Sequence, residues 1–125
     1  MSLESKEQHV LGVAGDIEAT AKEVRALRQR LSSVGKNAAR AIVDYEKAMG
    51  VTLIKLRNGR EMTVGNEIIK NPPVTTTEKI AKAICYDQNL TYQVMSHEYT
   101  ALTANLKAAI AELSAYQTKY RHLAE

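Results

Sequence analysis

The chain has no Trp and no Phe, one Cys and two Pro in 125 residues. Each shortage excludes something. A single Cys cannot close an internal disulfide, so a disulfide-stapled scaffold is out. A compact globule of this length ordinarily fills a thick core with Phe and Trp rings; without them the core must be thin, of the kind found between helices. The polar opening has no apolar stretch of the sort a secretory signal carries. No window approaches the ~20 apolar residues of a membrane span. The lone Cys85 suits a reducing cytoplasm. What is present is ordinary for a folded chain: 45% hydrophobic, 25% charged, net charge +3. At this size one domain is expected, over 4–125; Met1-Ser-Leu3 resembles a vector scar and is left out of the fold reasoning.

The first part of the chain has a helical repeat. At alternating steps of three and four stand Val10, Val13, Ile17, Thr20, Val24, Leu27, Leu31, Val34, Ala38, Ala41, Tyr45 and Ala48, and only Thr20 is polar. That spacing is the a/d seam of a coiled coil. It predicts a helix over 4–49, with Gly50 as its stop.

Next comes a β-rich stretch. Val51-Thr-Leu-Ile-Lys-Leu-Arg57, Asn58-Gly59 and Arg60-Glu-Met-Thr-Val64 predict a hairpin turning at Asn-Gly, because a type I′ turn needs positive φ at both central residues. That register pairs Leu53 with Val64 and Lys55 with Met62. A lone two-stranded hairpin is marginal in water, so Leu53, Ile54, Leu56, Met62 and Val64 are expected to form an assembly surface. Hairpin and loop together cover 50–74, ending at Pro72-Pro73.

The third part predicts a second helix over 75–123, capped by Thr75, Thr76 or Thr77. Its stripe runs Ala81, Cys85, Gln88, Tyr92, Met95, Tyr99, Leu102, Leu106, Ala109, Leu113, Tyr116, Tyr120, Leu123. Ile80, Ile84, Val94 and Ile110 fall outside it, and the extra apolar width suggests more than one neighbour. The fold class expected is mainly α: a long antiparallel two-helix coiled-coil hairpin with a β-hairpin between the helices. Neither a thin core nor a two-sided apolar hairpin is content alone, so the partner expected first is a second copy, as a homodimer or homotetramer.

A search for chemistry yields little. His9, His97 and His122 lack acidic or Cys companions at metal-ligand spacing, so no metal and no cofactor are expected. Cys85 sits on the apolar stripe with no His beside it in the sequence, as an inert core thiol would. No phosphate loop, dinucleotide fingerprint or nucleophile elbow occurs, and no catalytic residue is assigned. The expectation is a protein that is not an enzyme. The tyrosines at helical spacing read as core rather than as a base-stacking platform. One charge feature stands out. Between 22 and 40, Lys22, Arg25, Arg28, Arg30, Lys36 and Arg40 face only Glu23. They suit phosphates or an acidic partner, or else a solvated face with Arg28 and Arg30 at flanking coiled-coil positions.

Ala81-Lys82-x-Ile84-Cys85, Tyr99 and the run Glu112-Leu-Ser-Ala-Tyr-Gln-Thr-Lys-Tyr-Arg-His-Leu123 resemble the C-terminal helix of small bacteriophage and prophage proteins that have no assigned activity. The resemblance covers about the last 45 residues and implies a bacterial host cell. In outline alone, helix, hairpin and returning helix is similar to a prefoldin β-type subunit. A helical hairpin in a phage setting is also similar to Gam-type host-nuclease inhibitors, which bind DNA ends. Three functions are therefore expected in order: a self-assembling binding or scaffolding module, a DNA-binding protein acting through the basic residues, and a holdase chaperone.

Overall fold

The computed structural model describes residues 2–124. Met1 and Glu125, the last residue of the expected domain, lie outside the described residues. The protein is mainly helical, in the order α1 (Leu3–Arg57), β1 (Met62–Val64), β2 (Glu67–Ile69), α2 (Val74–Ile84) and α3 (Tyr86–Ala124). Its contacts gather into two compact units. One holds the chain up to Ser33 together with the chain from Tyr99; the other is Val34–Glu98.

The apolar repeat of α1 holds along its whole length. All twelve seam residues from Val10 to Ala48 are buried or half-buried, while Glu18, Lys22, Lys36 and Lys47 between them are exposed. In the first unit the buried side chains are Val13, Thr20 and Val24 of α1 with Leu102 and Ala109 of α3. Small and branched side chains fill this core, as the missing rings required. In the second unit the core is Ala41, Thr52, Leu56, Thr77, Ala81 and Cys85. There Tyr45 of α1 stacks on Tyr92 of α3, with ring centroids 6.1 Å apart and planes at 13°. Seven residues further along α1, Thr52 meets Cys85, seven residues before Tyr92. Equal steps in opposite directions mean that the two stretches run antiparallel.

Two expectations about the middle of the chain are corrected. The first concerns Gly50, which lies inside α1 and does not end it. Thr52 and Leu56 carry the seam on by two further steps of four, and both are buried, 6% and 3% exposed. Burial of that face outweighs the modest preference of Val, Thr and Ile for strands. Lys55 and Arg57 in the last turn suit the negative end of the helix dipole. The helix stops at Asn58-Gly59 instead. The Gly59 amide bonds the Leu56 carbonyl at 3.1 Å and the Arg60 amide bonds the Lys55 carbonyl at 3.1 Å. Gly59 has φ +73°. These two bonds around a left-handed glycine form a Schellman cap.

The second correction follows from the first. Leu53, Ile54 and Leu56 belong to a helix, so the hairpin turning at Asn58-Gly59 does not exist. The observed hairpin is one step later, with Met62 opposite Ile69, Thr63 opposite Ile68 and Val64 opposite Glu67. Its two-residue turn is Gly65-Asn66. Gly65 has φ +60°, and Asn66 is not among the residues of positive φ, which is the pattern of a type II′ turn. Met62, Val64 and Ile69 share the half-buried face, while Thr63 and Ile68 are exposed. The hairpin packs against α2 through β1. Just beyond the last pair, Glu61 and Lys70 approach to 3.8 Å, a surface pairing worth at most a few tenths of a kcal/mol.

The last helix expected over 75–123 is two helices. Pro73 stands at the N-cap of α2 and no side chain caps it. Thr76 and Thr77 instead donate their hydroxyls back to the Pro73 carbonyl, at 3.0 and 3.1 Å. Cys85 separates α2 from α3 with φ −91° and ψ 23°. Cys85 itself keeps two bonds of helical type, donating to Ala81 and accepting from Asn89. The ψ of Cys85 departs from the helical value, and that one residue ends α2 and precedes α3. α2 covers β1, and α3 then carries the stripe onward. Of that stripe, Gln88, Tyr99 and Tyr120 are exposed and the rest are buried or half-buried.

Candidate functional site

The second unit holds two neighbouring grooves on α1 and α3. The larger array of polar groups lines a groove of about 480 Å³. Asn37, Arg40 and Asp44 come from successive turns of α1, and Asp87, Gln88 and Thr91 from the first turns of α3. Helical spacing explains the grouping, because residues three and four apart share a face. Thr91 is oriented by donating to the Asp87 carbonyl at 3.0 Å. One guanidinium with two carboxylates and two amides can hold a polar or zwitterionic group. It offers no nucleophile beside a base and hence no assigned reaction.

The adjacent groove is lined by Asp44, Lys47, Thr52, Ile84, Cys85 and Gln88 among others. The Cys85 thiol lies 3.4 Å from the Thr52 hydroxyl, both buried. Cys85 is 2% exposed, and no His lines this groove. This is the setting of a packing thiol. A thiol reagent should label Cys85 in the folded protein at least ~100-fold more slowly than in denaturant, since labelling requires local opening. Equal rates would show that the site is open and the thiol available for chemistry.

In the first unit a third groove is formed by Leu3, Lys6, Glu7, Val10 and Leu11 at the start of α1 with Leu123 and Ala124 at the end of α3. It is lined mainly by side chains of helix ends. Nearby, Tyr116 donates its hydroxyl to Glu112 at 3.2 Å. The bond to this carboxylate, and its charge, raise the Tyr116 pKa above the ordinary phenol value.

The six basic residues are all exposed. Lys22, Arg25, Arg28 and Arg30 lie in the first unit, Lys36 and Arg40 in the second. Lys22 is 3.9 Å from Glu18 on the same helix, and Arg40 lines the polar groove. Of the five residues expected to form an assembly surface, Leu56 is buried in its own chain, Leu53, Met62 and Val64 are half-buried, and Ile54 is exposed. They occupy two separate elements, α1 and β1. The sequence reading missed Val43, Val51, Tyr86 and Leu90, apolar residues that the structure leaves exposed. Their own helical spacing, measured from the buried seam, was the signal that would have found them.

Among the described residues no group of three or more His, Cys, Asp or Glu could hold a metal ion. No described helix is long and apolar enough to cross a membrane. Comparison with protein-family models, curated proteins and solved structures returns no match.

Proposed function

We propose that this is a non-enzymatic, self-associating helical protein of phage or prophage type, acting as a binding or scaffolding module in the cytoplasm of a bacterial host. The observation that carries the reading is the apolar surface left on the helices of the second unit. Val43, Val51 and Ile54 on α1 are 59%, 44% and 60% exposed; Tyr86, Leu90 and Val94 on α3 are 61%, 48% and 58% exposed. Single exposed apolar residues are normal, but rows of them at helical spacing are characteristic of contact surfaces. Burying such rows against a second copy removes apolar area from water at roughly 25 cal/mol per Å². The grooves support binding rather than catalysis, since their polar groups include no paired nucleophile and base. The phage setting rests on the resemblance carried by residues 81–123.

Sedimentation at micromolar concentration should give the mass of two or four chains. A well-folded single chain under those conditions would overturn the proposal.

A further inference from the structure

α3 carries a second heptad stripe on the side away from its buried one. Leu90, Val94, His97, Ala101, Ala104, Ala108, Ala111 and Ala115 follow steps of four, three, four, three, four, three and four. Seven of the eight are apolar, and all eight are exposed. A helix needs one such stripe to pack in its own fold; a repeat sustained on the opposite face has the form of a second coiled-coil seam. The alanines contribute little area each, but they allow two helix axes to approach closely, while Leu90 and Val94 are full-sized knobs.

Charge identifies the occupant and its direction. With Ala101, Ala108 and Ala115 at a positions and Leu90, His97, Ala104 and Ala111 at d positions, Lys107 falls at g and Glu112 at e. Along one helix these two are about 140° apart and cannot meet. In a parallel, in-register pair of helices, a g residue faces the e residue five positions later on the other chain. Lys107 then faces the second copy's residue 112, and the symmetry supplies the pair twice. The remaining pairs of this kind are Gln93 with 98, Thr100 with 105 and Ser114 with 119, so no like charges meet. An antiparallel pair sets g against g and e against e; with the whole stripe overlapped Lys107 then faces Thr100 and no opposite charges meet, and the shifted pair that brings Glu98 to Lys119 leaves Leu90 and Val94 outside the overlap. Glu112 already accepts the Tyr116 hydroxyl on one oxygen, which orients the carboxylate and leaves its other oxygen for a lysine.

We infer that a second copy of this chain docks on this stripe, parallel and in register, with Lys107 of each copy paired to Glu112 of the other. The inference rests on the self-association proposed above and adds its surface and orientation. The test uses the full chain with Cys85→Ala and a single new cysteine, Ala101→Cys or Ala115→Cys, under mild oxidation. Both variants should form disulfide-linked dimers. An antiparallel pair sets a positions against d positions, so it would link neither variant to itself. In parallel, Lys107→Glu should raise the dimer dissociation constant by roughly tenfold or more, since two attractive pairs become repulsive. The swap Lys107→Glu with Glu112→Lys should restore it. A single-chain mass before any substitution would overturn the self-association reading and this one with it. A dimeric mass without crosslinking at both positions, or a swap that fails to restore association, would overturn the stripe and leave self-association standing.

Discussion

Replacing Leu56 with alanine is expected to cost about 2–5 kcal/mol of folding stability, as for a buried leucine that leaves a cavity. Replacing Ile54 with alanine should change stability by no more than about 0.5 kcal/mol, as at an exposed site. The two residues are separated by one position, and their exposures are 3% and 60%. On a helix, positions two apart point about 200° away from each other; on a strand they share a face. The pair therefore tests whether α1 runs on through residues 51–57. Urea unfolding followed by circular dichroism, at the lowest protein concentration the signal allows, measures both. Similar losses for the two variants would place residues 51–57 in a strand after all, and the continuous α1 would be wrong.

Two glycines of similar sequence context should respond in opposite directions. Gly59→Val is expected to lose about 2–3 kcal/mol, because a branched residue is held at positive φ against its preference. A Cβ at this position would also run into the Asn71 side chain, so the helix cap and the loop leading to Pro72-Pro73 would both have to shift. Gly50→Ala is expected to gain about 0.5–1 kcal/mol, the ordinary benefit of alanine over glycine inside a helix. Nothing lies within 4 Å of the added Cβ there. Thermal or urea unfolding of the two variants beside the parent decides the matter. A loss at Gly50 comparable with that at Gly59 would mean that the helix ends where the heptad repeat alone places its stop.

These contrasts show where the sequence was legible. The seam of α1 was readable because its repeat was long: twelve positions held one rule, and every one is buried or half-buried. The stripe of α3 was readable for the same reason. The stretch 51–57 was not, because two local signals agreed with each other against a distant one. Val, Ile and Thr favour strands, and Asn-Gly favours a hairpin turn. Asn-Gly is equally good chemistry for ending a helix, since both uses need a residue at positive φ. What distinguishes them is whether Thr52 and Leu56 have something to pack against. For Thr52 that partner is Cys85, more than thirty residues away in the chain, and Leu56 lies in a groove with Pro72, Val74 and Thr77. The break at Cys85 was equally hidden, because no Pro or Gly marks it.

The candidate site was legible in its parts and not in its grouping. The exposed basic residues were visible, yet Arg40 finds its polar groove only when Asp87, Gln88 and Thr91 of α3 come alongside. The apolar surface was anticipated at Leu53, Ile54, Leu56, Met62 and Val64, but burial removes Leu56 and leaves Ile54 exposed.

By itself, then, the sequence determined that the protein is built of long amphipathic helices around a core without Phe or Trp, with a short β-hairpin between them. Periodicity is a local property, and hydrophobic burial enforces it wherever it is sustained. Only the tertiary structure decided where α1 ends, which residues pair in the hairpin, where the last helix divides and which apolar faces stay open. Those outcomes turn on competition between local backbone preferences of a few tenths of a kcal/mol per residue and side-chain burial worth roughly one to three kcal/mol. Burial is the stronger of the two, and it depends on what the folded chain places opposite each side chain.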